Sequence, residues 1–199
     1  MSPARNRSVR QRRRRRLAIG AAVVGAGIVA GVLLGVVGTV DRAIQELTLP
    51  LRHEDVIRQQ ARDKDLDPAL IAAVIYRESK FRDVTSDAGA KGLMQILPDT
   101  AKFIAFKTGG TQFELRDLGT PQINISYGTW YLRYLIDRYD GNTTAAIAAY
   151  NAGHQNVDRW GGKDLRLSDI QFPETADYTR DVLEKRDEYA KEYSSELGL

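Results

Sequence analysis

Glu78 is the residue of this chain whose setting could do chemistry. Residues 70–81 read Leu-Ile-Ala-Ala-Val-Ile-Tyr-Arg-Glu-Ser-Lys-Phe, and on a helix Ile71, Val74 and Ile75 share a face that Glu78 follows at seven, four and three residues. A carboxyl group in that stripe loses hydration, which disfavours its charged form, and the negative end of the helix near Phe81 acts in the same direction. A general acid is kept protonated at neutral pH in this way. A structural reading competes: with Arg77 and Lys80 beside it, Glu78 could equally be a rim residue or one half of a buried ion pair.

Other chemistries have little to draw on. The chain has no cysteine, which excludes disulfides and thiolate metal sites, and its two histidines, His53 and His154, stand too far apart to suggest a metal centre. No metal or cofactor is expected. Ser79 alone is no nucleophile, because neither histidine is placed by sequence to activate it.

The elements that must position Glu78 read as helices. Val56, Ile57, Ala61 and Leu66 suggest a first helix, and Asp67 with Pro68 caps and opens the one that carries Glu78. A polar, glycine-containing loop follows at residues 86–92, then a short helix from Pro98 to about Phe106 and a loop over residues 108–119. A long helix from Pro121 carries Ile123, Tyr127, Trp130, Tyr131, Tyr134 and Leu135, a broad aromatic face that suits a core better than a sugar platform. The turn Asp140-Gly141-Asn142 separates it from a helix capped by Thr143 and ending at Tyr150-Asn151-Ala152-Gly153. A last helix spans residues 174–193. No alternating strand pattern occurs between Arg52 and Leu199, so the class is all-α.

Charge and hydropathy divide the 199 residues unevenly. Eight arginines precede residue 17, and without them 21 basic residues face 26 acidic ones, so the overall +3 becomes −5. A domain of that charge repels phosphate, which argues against nucleic acid as a partner. Residues 17–40 carry no charge and are long enough to cross a bilayer, and the arginines before them place the N-terminus in the cytoplasm. A cleavable signal peptide competes, but its apolar stretch is usually shorter. The expected organisation is a basic cytoplasmic tail (1–16), an uncleaved transmembrane anchor (17–40), a connector (41–51) and an extracytoplasmic domain (52–199).

Four separated signatures stand in order: Glu78-Ser79, Gly92-Leu93-Met94-Gln95, Ala148-Ala149-Tyr150-Asn151-Ala152-Gly153 and Glu174-Thr175-Ala176-Asp177-Tyr178. Together they resemble the family 1 lytic transglycosylases, the SLT domain related to goose-type lysozyme, over roughly residues 56–183. The resemblance implies a helical lysozyme-like domain. It also implies cleavage of peptidoglycan between N-acetylmuramic acid and N-acetylglucosamine, leaving a 1,6-anhydromuramyl end. By position Glu78 matches the single catalytic acid and Ser79 a neighbour that orients substrate or acid. Met94 and Gln95 match groove residues, Tyr150 and Asn151 the pair facing the acid, and Tyr178 the tyrosine of the last signature.

Ordinary glycosidases need two carboxylates, and only Glu78 stands out in these motifs. Asp83 and Asp87 are close in sequence, but their polar context suits a solvated loop. A single acid must take its nucleophile from the substrate, through the N-acetyl group and then the 6-hydroxyl. A hydrolase leaving reducing ends and a catalytically silent peptidoglycan-binding module are the alternatives.

Overall fold

The acid-bearing helix is almost entirely interior. In the computed structural model, which describes residues 45–110 and 112–199, α1 (Glu54–Lys64) is followed by α2 (Pro68–Ser79), α3 (Pro98–Thr108), α4 (Pro121–Arg138) and α5 (Thr143–Ala152). Then come α6 (His154–Trp160), α7 (Pro173–Glu192) and α8 (Ser194–Leu197), with short 3-10 turns at Leu115–Gly119, Gly162–Asp164 and Leu167–Asp169. The all-α reading holds. The tail at 1–16 and the apolar segment 17–40 lie outside the described residues, among which no helix is long and apolar enough to cross a membrane.

Leu70, Ile71, Val74 and Ile75 of α2 are buried, and Ala69, Ala72 and Ala73 let neighbouring helices approach closely. Burial of each isoleucine contributes about 1.5–3 kcal/mol. The helix packs on α7 along one side and on α1 along another. Its start is fixed as the sequence predicts: Pro68 opens the first turn and Asp67 Oδ1 accepts from the Ala69 N–H at 2.8 Å. Arg186 of α7 reaches the other oxygen of that carboxylate, Nε to Oδ2 2.8 Å.

Its end comes two residues before the expected Phe81. Lys80 (φ 52°) and Phe81 (φ 59°) both adopt the left-handed conformation, and the Lys80 N–H closes the helix on the Tyr76 carbonyl at 2.9 Å. Two such non-glycine residues cost on the order of 1–3 kcal/mol each. Burial of the Phe81 ring against Tyr189, 6.2 Å between centroids, offsets part of that cost. Glu78 is thereby left in the last turn of α2.

Two other boundaries differ from the sequence reading. Asn142, rather than Thr143, caps α5, its Oδ1 accepting from the Ala145 N–H at 3.0 Å. Packing also begins before Arg52: residues from Leu49 to Leu199 form one compact unit, with the Leu49 and Pro50 carbonyls accepting from Tyr193 and Tyr189, each at 2.6 Å.

Candidate active site

Glu78 is half-buried and opens into a cleft of 480 Å³ that is also lined by Arg77, Asn151, Ala152, Phe172, Glu174, Thr175 and Tyr178. Tyr178, on the neighbouring face of α7, donates its hydroxyl to Glu78 Oε1 at 2.6 Å. Burial pushes the Glu78 carboxyl up from 4.5 to about 7, against the opposing pull of the Tyr178 hydrogen bond and the Arg77 charge. Desolvation, with the Glu78 carboxyl nearby, also drives the phenols of Tyr178 and Tyr150 well above their usual value, so both remain donors at neutral pH.

The turn carrying Gly92-Leu93-Met94-Gln95 is held by side chains from three helices. Ser79 of α2, next to the acid, is buried and gives its hydroxyl to the Leu93 carbonyl at 2.7 Å. Tyr150 of α5 donates to the Met94 carbonyl at 2.9 Å. Asn124 of α4, itself 1% exposed, accepts from the Met94 N–H at 2.8 Å and donates to the Lys91 and Leu118 carbonyls at 2.9 and 3.0 Å. The close approach of Asn124 explains Gly92: its φ is +75°, and a Cβ there would stand 2.2 Å from Asn124 Nδ2.

These contacts place the sequence-derived residues at different depths. Glu78, Asn151 and Tyr178 line the cleft together. Ser79 and Tyr150 spend their hydroxyls on the backbone of the turn beside it. Met94 is fully buried, and its thioether occupies the space a side chain at Gly128 would need, so it fills a core gap beneath the groove rather than forming its wall. Gln95 sits at the end of the turn with φ 47°, its amide donating to the Val84 and Gly92 carbonyls at 2.9 Å each. Asn151 Oδ1 accepts from the buried hydroxyl of Thr175 at 2.8 Å, which fixes the amide in the cleft that Glu78 also lines.

Sequence reasoning gave three residues of this neighbourhood no part in the site. Glu174 brings a second carboxylate into the cleft, while Asp83 and Asp87 are exposed and do not line it. Glu174 precedes Tyr178 by four residues, so the two share a helix face, and that spacing could have found it. Arg77 lines the cleft with its guanidinium 5.4 Å from the centre of the Tyr178 ring and its Nε 3.2 Å from Asp181 Oδ2. Asn124 gives no signal in the sequence, being one polar residue inside an amphipathic pattern.

A second cleft of 340 Å³ is lined by Asp99, Thr100, Phe103, Tyr131, Tyr134 and His154. The ring of its Tyr131 lies 5.6 Å from that of Tyr150, the donor to the Met94 carbonyl. The broad aromatic face of α4 is therefore divided. Tyr127 stacks on Phe113 at 4.6 Å and Trp130 stacks behind Tyr134 at 5.6 Å, whereas Tyr131 and Tyr134 reach a cleft.

Residues 55–172 match the family model described as the transglycosylase SLT domain. The chain belongs to that family. A soluble lytic murein transglycosylase of Salmonella typhimurium is 34% identical over 152 residues, covering 69% of this chain and 23% of the relative. A membrane-bound lytic murein transglycosylase C of Histophilus somni is 35% identical over 137 residues, covering 62% of this chain and 38% of the relative. Among solved structures, an inactive mutant of the lytic transglycosylase Slt from Pseudomonas aeruginosa superposes with a TM-score of 0.70 at 32% identity, over 76% of this chain and 26% of that one. The chain thus spans about a quarter of the length of the soluble relative and of the solved enzyme.

Proposed function

We propose that the chain is a peptidoglycan lytic transglycosylase in which Glu78 acts first as general acid and then as general base. The observation that carries this reading is the half-buried Glu78 carboxyl, held near neutrality and hydrogen-bonded to Tyr178 in an open cleft. A neutral carboxyl has one proton. Tyr178 donates to Oε1, so the proton resides on Oε2, free to pass to the glycosidic oxygen as the bond to the muramyl C1 breaks. The carboxylate then formed keeps the Tyr178 hydrogen bond.

The carbonyl of the muramyl N-acetyl group closes on C1 and holds the positive charge there. Glu78 next takes the proton of the 6-hydroxyl, whose oxygen attacks C1 and displaces the N-acetyl oxygen. The product is the 1,6-anhydro ring, and the acid returns to its protonated state with no water consumed. Asn151, fixed by Thr175, and Gln95 are the substrate-binding polar groups of this reading, with Ser79, Met94 and Tyr150 supporting the turn that bears Gln95. Neighbouring sugars of the strand extend over Tyr131 and Tyr134 of the second cleft. In this reading residues 17–40 anchor the enzyme in the membrane with the domain outside the cytoplasm, on the strength of their uncharged length and the arginines before them; one relative is likewise named membrane-bound.

A second reading draws on Glu174, since two carboxylates in one cleft would also serve a hydrolase that delivers water to C1. Mass analysis of products from the detergent-solubilised full chain acting on peptidoglycan separates the two. Anhydromuramyl products, 18 mass units lighter than reducing ones, are expected. Loss of at least a thousandfold in rate is expected for Glu78→Gln. Reducing products would replace the transglycosylase by the hydrolase, and full activity of the variant would remove both.

A further inference from the structure

Beyond its pull on the Glu78 carboxyl, Arg77 has no part in the bond-breaking steps, yet it is held in place in the same cleft. Its guanidinium packs near the face of Tyr178 and is tethered through Nε to Asp181, with 39% of the side chain exposed. Among the described residues its terminal amino groups carry no hydrogen bond. A guanidinium tethered at one edge and set over an aromatic ring keeps a planar pair of donors for an anion, and a carboxylate fits that fork with two parallel hydrogen bonds. The tether to Asp181 also lowers the conformational cost of engaging one.

Peptidoglycan offers such a group in one place. N-acetylglucosamine and the ring of N-acetylmuramic acid are uncharged, whereas the lactyl arm of muramic acid ends either in its own carboxylate or in a peptide stem bearing carboxylates. We propose that Arg77 binds a carboxylate carried on the lactyl arm of the muramyl residue beside Glu78, and so makes the cleft select muramyl strands over plain N-acetylglucosamine polymers. This inference rests on the peptidoglycan-cleaving reading and names the substrate feature that the same cleft recognises.

The test uses the full chain with Arg77→Gln and Arg77→Lys on three substrates: stem-bearing strands, strands stripped by an amidase to the free lactyl carboxylate, and an N-acetylglucosamine hexamer. Arg77→Gln should raise KM about tenfold on the muramyl substrate that supplies the carboxylate, and by less than about twofold on the hexamer. Arg77→Lys, which keeps the charge without the fork, should recover about half of the loss on a logarithmic scale. A rise confined to stem-bearing strands assigns the carboxylate to the stem, and a rise on stripped strands assigns it to the lactyl group; either supports the proposal. Changes in kcat shared by all substrates reflect the influence of Arg77 on Glu78 and are read separately.

An equal KM rise on all three substrates, or none on any, overturns the proposal while leaving the enzyme reading intact. If the wild-type chain releases no product, the enzyme reading fails. The same comparison is then made by binding to Glu78→Gln protein, followed by fluorescence of Trp160, whose ring lies 4.8 Å from that of the cleft residue Phe172. Equal affinity of the Arg77 variants and their parent for all three ligands, or no binding at all, overturns the proposal there too.

Discussion

Replacing Glu78 by Gln removes a titration while keeping the shape of the side chain and an acceptor for Tyr178, so it isolates the cost of burying the carboxyl. The carboxyl titrates near 4.5 in the unfolded chain and at about 7 in the folded one. Between those values the folded protein retains a proton that the unfolded chain has released, and wherever the folded state binds more protons its stability falls as pH rises. A gap of about 2.5 pH units corresponds to about 3 kcal/mol, reduced to about 2 kcal/mol because water reaches the carboxyl from the cleft. Urea unfolding of wild type and Glu78→Gln between pH 4 and pH 8.5 measures it. The two should differ little at pH 4, where Glu78 is neutral in both states. The variant should then gain steadily through pH 4.5–7 and be about 2 kcal/mol ahead above pH 7. A constant difference across the range would refute the desolvation argument. A difference growing in the opposite direction would mean that attraction to Arg77 outweighs burial, and the protonated acid at neutral pH would be lost with it.

Two further substitutions test the surroundings of the acid. Tyr178→Phe deletes the 2.6 Å donor that opposes the upward push on Glu78, so the alkaline limb of the rate profile, where the acid is lost, should move to higher pH while kcat falls roughly tenfold to a hundredfold; an unmoved limb would show that the phenol does not act on the acid. Asn124→Ala leaves the Met94 N–H and the Lys91 and Leu118 carbonyls without their buried partner and should cost about 3 kcal/mol in urea unfolding, with a loss below about 1 kcal/mol excluding the clamp.

Period and capping made the helices legible. Ile71, Val74 and Ile75 mark the face of α2, and Asp67 with Pro68 marks its start, because both signals are local. Its end was not legible, since Lys80 and Phe81 take a strained conformation that only tertiary burial of the phenylalanine ring sustains. The same limit applies to the site. Glu78 and Tyr178 could be picked out from their motifs, yet the 2.6 Å bond between them joins residues 100 positions apart. Met94 illustrates the converse: the motif singles it out, but its full burial depends on Gly128, a residue whose lack of a side chain is informative only once the turn meets α4.

The setting of Glu78 follows from a division of labour between two helices. α2 supplies the carboxyl and most of the burial that raises its pKa. The opposing influences depend on α7, which contributes Tyr178 directly and pairs Arg77 with Asp181. Burial without these groups would drive the carboxyl higher still, leaving an acid that is protonated at neutral pH but releases its proton to a glycosidic oxygen only at greater cost. With them stronger, the acid would already be ionised at neutral pH. The proposed reaction asks one group to serve in both directions, which needs a pKa near the working pH, and about 7 is reached because the packing of α2 on α7 buries the carboxyl and stabilises its anion at the same contact.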